Sequence, residues 1–130
     1  MVSRPSSILL VEDEPDLRAL VHEVLTGQGY QVLLTQGPAE ALKTARATTD
    51  PIDLLLTDIV MPDMNGLALA ERLQVDRPEM KVLYMTGYSN DVVMAHGTPH
   101  EGALIQKPFT PRHIVARVRE VLGDGAAAKV

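Results

Sequence analysis

The sequence predicts a doubly wound α/β sandwich: five parallel strands in the order 2-1-3-4-5, with helices on both faces. Three observations predict it. Short apolar runs alternate along the chain with segments of helical period. The runs are near-continuous in Leu, Ile and Val, as strands buried on both faces are. Each strand–helix–strand unit then closes by the right-handed crossover that joins parallel strands. In such a sheet ligands bind beyond the strand C-termini at the switch point, here between strands 1 and 3.

Residues 8–11, Ile-Leu-Leu-Val, read as the first strand. Leu17, Leu20, Val21, Val24 and Leu25 follow at i, i+3, i+4, i+7 and i+8, one face of a helix. Pro15 suits its first turn, and Gly27 and Gly29 end it. Residues 31–34 are the second strand and residues 38–47 an Ala-rich helix. Residues 52–57 are the third strand. Residues 67–74 form a helix with Asn65 as its N-cap, and Pro78 marks the end of the connection. Residues 82–86 are the fourth strand. Gly97, Pro99 and Gly102 then allow only a short helix near residues 90–96. Residues 103–106 make a short fifth strand. Thr110 as N-cap and Pro111 at the first helical position open the last helix, with Ile114, Val118, Val121 and Leu122 on its apolar face.

The 130 residues, 45% hydrophobic and 22% charged, suit one domain spanning residues 1–130, with a core at about 7–122 and a frayed tail at 123–130. With no Cys there is neither a disulfide framework nor a thiolate metal site. The start, MVSRPSS, lacks the apolar stretch of a signal peptide, and no apolar run is long enough to cross a bilayer. The expected location is the cytoplasm. The net charge of −5, with no run of Lys and Arg, argues against direct nucleic-acid binding.

The chemistry collects at the C-terminal edge of the predicted sheet. Strand 1 runs into Glu12-Asp13, strand 3 into Asp58, strand 4 ends at Thr86, and strand 5 leads into Lys107-Pro108. Neighbouring strands lie about 4.8 Å apart, so Glu12, Asp13 and Asp58 converge. Two unit charges roughly 4 Å apart repel by about 4 kcal/mol at an effective dielectric of 20. Stability alone does not favour that arrangement. A divalent cation relieves it, and hard oxygen ligands suit Mg²⁺ or Mn²⁺. A cation on carboxylates also attracts phosphoryl groups, and a free carboxylate can attack phosphorus. Thr86 offers a hydroxyl. Lys107, two strands and about 10 Å from Asp58, can span the gap with its side chain. Asp58 is therefore read as a nucleophile held by a buried strand and exposed at its tip.

The segments ILLVEDEP, LLLTDIVMPDMNGL, VLYMTGY and ALIQKPF, in this order and spacing, resemble the receiver (CheY-like) domain of two-component response regulators over residues 7–122. The resemblance implies phosphorylation of Asp58 by a phosphohistidine donor, a histidine kinase or a histidine phosphotransfer protein. It implies Mg²⁺ on Glu12, Asp13, Asp58 and the backbone carbonyl of Val60. Thr86 and Lys107 would contact the phosphoryl group, and Lys107-Pro108 would be a cis peptide. It implies a phosphoacceptor signalling domain rather than an enzyme, as a monomer or weak dimer. VLYMTGYSND followed by LIQKPFTP is most similar to the C-terminal receiver of hybrid sensor histidine kinases, whose parent protein can be membrane-tethered. A stand-alone response regulator is the alternative.

The chain departs from the family pattern at Leu104, where many receivers carry a switch aromatic. It also departs at Val60 and Tyr88, two residues after the Asp and the Thr, where polar side chains accompany fast phosphoryl hydrolysis. These last two departures imply slow self-dephosphorylation. A haloacid-dehalogenase-type aspartyl-phosphate phosphatase needs an acid where Val60 stands. A flavodoxin-like cofactor binder needs a Gly/Ser/Thr-rich loop where Glu12-Asp13-Glu14 stand. Blander roles exist for each residue: Glu12 and Asp13 as helix-cap acids, Asp58 in a turn, Thr86 as a strand end, Lys107 on the surface. Their convergence on one edge favours the functional reading. Glu14 and Asp63 read as cap or loop residues, and His96 and His100 as exposed loop residues.

Overall fold

The periodicity of the chain is realised in a computed structural model that describes residues 5–87 and 103–123. The elements are β1 (Ser7–Val11), α1 (Pro15–Gly27), β2 (Gln31–Thr35), α2 (Pro38–Ala47), β3 (Leu54–Asp58), α3 (Gly66–Asp76), β4 (Lys81–Thr86), β5 (Ala103–Gln106) and α4 (Pro111–Leu122). All strand pairs are parallel, in the order β2-β1-β3-β4-β5. The short helix expected near residues 90–96, together with His96 and His100, lies outside the described residues, as do Tyr88 and the tail from residue 124.

The local signals act as their chemistry requires. The Glu14 carboxylate caps α1 by accepting from the amides of Asp16 and Leu17. Asn65 caps α3 through the Ala68 amide, and Thr110 caps α4 through the His113 amide. Gly123 ends α4 at φ 80, a left-handed conformation that glycine adopts without steric cost.

Every residue of β1 and β3 is buried, so alternate side chains feed two separate cores. Leu9, Val11, Leu55, Val82 and Tyr84 pack under α2 and α3 with Ala41, Ala45, Leu69 and Leu73. Ile8, Leu10, Leu54, Leu56, Leu83 and Met85 pack under α1 and α4 with Val21, Leu25, Ile114 and Val118. Met61 and Met64, in the loop after β3, rest against the α2–α3 core.

Two expectations shift. The third strand begins at Leu54, not Ile52, because pairing with β1 starts at Ile8↔Leu54; it runs on through Asp58, which pairs with Met85. Leu20 is 42% exposed, although the helical period places it on the apolar stripe of α1. The buried stripe is narrower, centred on Val21 and Leu25.

The Leu56 side chain is fully buried in the middle of β3. Leu56→Ala should cost about 2–5 kcal/mol in urea denaturation. Val75→Ala, on the exposed side of α3 at 80% exposure, should change stability by less than about 0.5 kcal/mol.

Candidate functional site

The parallel register brings the strand ends level. Val11 pairs with Thr57, Asp58 with Met85, and Thr86 with Gln106. Glu12 follows β1 directly and is still held to β2 through its amide, 3.2 Å from the Thr35 carbonyl. Its carboxylate is fully buried. One oxygen accepts from the Glu14 amide at 3.0 Å and the other from the Lys107 ammonium at 2.8 Å. The same ammonium lies 2.5 Å from Oδ1 of Asp58. The reach expected of Lys107 is thus realised across the two intervening strand spacings. The Lys107 amide donates to the Thr86 carbonyl at 2.7 Å, and the Lys107-Pro108 peptide is cis, as the resemblance implies.

Asp58 is 6% exposed and Thr86 8% exposed, whereas Asp13 is open to solvent. Asp13, Asp58, Val60, Met85, Thr86, Gly87 and Lys107 line one open cleft of roughly 470 Å³. Carboxylate oxygens of Glu12, Asp13 and Asp58 lie within 4.8 Å of one another. Three hard oxygen donors at that spacing fit a divalent cation with water completing its shell. Val60, 39% exposed, stands at the rim of the cleft. Leu104 lies away from it, beside Tyr84 in the α2–α3 core. Asp53, at the other end of β3, accepts from the Ser7 amide.

The model of the response regulator receiver domain matches residues 8–119. The chain belongs to the response regulator receiver family. It is 34% identical over 116 residues to the response regulator receiver protein CpdR of Brucella abortus (strain 2308), covering 88% of this chain and 95% of that protein. It is 30% identical over 123 residues to the sensor kinase CckA of the same organism, covering 93% of this chain but 13% of that much longer protein. A solved CheY-like receiver domain protein from Methanospirillum hungatei JF-1 superimposes with a TM-score of 0.76 at 30% identity, covering 95% of this chain and 98% of that one.

One residue of this receiver site escapes a reading of the sequence by charge. Gly66, the first residue of α3, donates its amide to the Ile59 carbonyl at 2.7 Å. A Cβ there would lie 2.1 Å from the carbonyl oxygen of Asp58. No side chain fits without moving the backbone that carries Asp58. The sequence signal was the Asn65-Gly66 pair, legible as a turn or cap but not as a close approach.

The two carboxylates that share Lys107 are not equivalent. Burial pushes Glu12 toward protonation, but hydrogen bonds from Lys107 and the Glu14 amide, with a contribution from Asp58, outweigh it and hold its pKa below the ordinary value. Burial raises Asp58 from 3.8 to about 7; Lys107 opposes the rise and the charge of Glu12 adds to it. Burial lowers Lys107, but the two carboxylates more than offset this, so the ammonium keeps its proton.

Because Asp58 has a raised pKa in the fold, its contribution is most favourable below about pH 4 and is lost as the pH rises to about 7. Asp58→Asn leaves one carboxylate, Glu12, for one ammonium, Lys107, so no buried charge is stranded. At pH 7.5 without metal, Asp58→Asn should be more stable than wild type by on the order of 2 kcal/mol. The difference should shrink toward pH 4 and on addition of Mg²⁺. Urea melts at the two pH values, with and without Mg²⁺, measure it.

Proposed function

We propose that this receiver is a Mg²⁺-dependent phosphoacceptor in which Asp58 takes a phosphoryl group from phosphohistidine. The observation that carries the reading is the position of Asp58: a nearly buried carboxylate on the last residue of β3, opening into a cleft with Asp13, Thr86 and Lys107. A carboxylate oxygen of Asp58 attacks phosphorus, the N–P bond of the donor breaks, and the electron pair leaves with the imidazole nitrogen. The product is an aspartyl phosphate. Glu12, Asp13, Asp58 and the Val60 carbonyl would hold the cation, which when bound neutralises phosphoryl oxygens. Lys107, already 2.5 Å from Asp58, would move its ammonium onto a phosphoryl oxygen, and the Thr86 hydroxyl would bind another.

Change at Lys107 and Thr86 is then the signal passed to a partner protein. Leu104, small and non-aromatic, removes the usual aromatic partner of that Thr. The motifs and the similarity to CckA support the receiver of a hybrid histidine kinase; the similarity to CpdR supports a stand-alone receiver. The length of the encoding reading frame separates the two.

Acetyl phosphate with Mg²⁺ should add one phosphoryl mass to wild type and none to Asp58→Asn. Full labelling of Asp58→Asn, read by intact mass, would remove Asp58 from the reaction.

Phosphoryl lifetime should be long. Hydrolysis needs a water placed in line with the P–O bond, and the apolar Val60 at the cleft rim cannot orient one. Val60→Asn should speed decay of the phosphorylated protein several-fold, and Tyr88→Glu should act in the same direction. Decay no faster than wild type in both variants would show that neither side chain limits the reaction.

A further inference from the structure

The loop that carries both strand-1 acids is pinned on either side of Asp13, at Glu12 and at Glu14. The Glu12 amide is held by Thr35, its two carboxylate oxygens by Lys107 and the Glu14 amide, and the Glu14 carboxylate caps α1. The Glu12 carbonyl lies past the last β1–β2 pair, Val11↔Thr35. It accepts from Nη1 of Arg18, one turn into α1, at 2.9 Å. Asp13 shares the peptide plane of that carbonyl, and Asp13 itself makes no hydrogen bond among the described residues. Its direction into the cleft is therefore set by the peptide that precedes it.

We propose that Arg18 is a positioning residue of the cation site. Its guanidinium fixes the Glu12–Asp13 peptide from the helix side. Asp13 then presents a free carboxylate to the cation without spending its own oxygens on holding the loop. The inference rests on the receiver reading above and adds a residue that touches neither the phosphoryl group nor the cation. Half-buried Arg18 suits this role because a planar guanidinium loses little freedom in making such a bond.

Charge and position predict opposite outcomes, which makes the proposal testable by sign. Removing a cation near three carboxylates would, through charge alone, tighten Mg²⁺ binding. Removing a strut that aims a ligand would weaken it, by about tenfold for supporting partners of metal ligands. Mg²⁺ is titrated by calorimetry into wild type, Arg18→Ala and Arg18→Lys, with folding checked by circular dichroism. Acetyl phosphate labelling is followed across the same Mg²⁺ range. Arg18→Ala should bind Mg²⁺ about tenfold more weakly, yet label at a rate within about twofold of wild type once Mg²⁺ saturates. Arg18→Lys, which keeps a donor and the charge, should recover most of the affinity. Unchanged or tighter Mg²⁺ binding by a folded Arg18→Ala overturns the proposal, as does a lower melting temperature with no change in affinity. If Arg18→Ala does not fold, Arg18→Lys and Arg18→Gln decide: affinities equal to wild type in both overturn it. A wild type that takes neither Mg²⁺ nor a phosphoryl group overturns the receiver reading itself, and this inference with it.

Discussion

The ammonium of Lys107 is the interaction on which the site depends. It bridges Glu12 and Asp58, joining the loop after β5 to the ends of β1 and β3 across the C-terminal edge of the sheet. Two carboxylates share this one ammonium and Asp13 lies beside them, so carboxylates outnumber it at this edge. Such an arrangement is costly at rest and becomes favourable when a cation enters. The inequality between Glu12 and Asp58 follows from the same geometry. Glu12 has a backbone amide on its second oxygen, whereas Asp58 shares Lys107 and faces Glu12 from inside the sheet.

That imbalance is tolerable only because the backbone beneath it is rigid. Fully buried β1 and β3 separate two aliphatic cores, one under α2 and α3, the other under α1 and α4. The register fixes how far each strand end projects. Gly66 lets the start of α3 lie directly against the Asp58 carbonyl, and the Lys107 amide ties the β5 loop to Thr86. Each functional side chain thus leaves a backbone position that its neighbours restrain. Asp13 differs in its side chain, which is exposed and makes no hydrogen bond among the described residues, as a cation ligand at the mouth of the cleft would require.

The cleft has an apolar rim as well as a charged floor. Val60 stands at the edge with part of its surface in solvent, while Leu104 is turned into the α2–α3 core beside Tyr84. Neither side chain can donate a hydrogen bond to a phosphoryl oxygen or to water. On the proposed function, the site would accept a phosphoryl group through Asp58, Thr86 and Lys107, and the apolar Val60 at its rim would leave hydrolysis slow. Such a site would suit a module that passes a phosphoryl group on, or keeps it until a partner removes it.

The sequence by itself determined the strands, the helix caps and the converging acids. Unbroken Leu and Ile runs can be satisfied only in a sheet covered on both sides, and Glu14, Asn65 and Thr110 each stand where a helix has unpaired amides. The motifs placed Glu12, Asp13, Asp58, Thr86 and Lys107 at one edge because parallel strands must end on the same side. Tertiary structure decided what periodicity cannot express. It moved the start of β3 to Leu54 through pairing with β1, and it left Leu20 exposed. It also gave Gly66 and Arg18 their places. Gly66 packs against the Asp58 carbonyl and donates to that of Ile59, Arg18 donates to that of Glu12, and a carbonyl has no letter in the sequence to mark it.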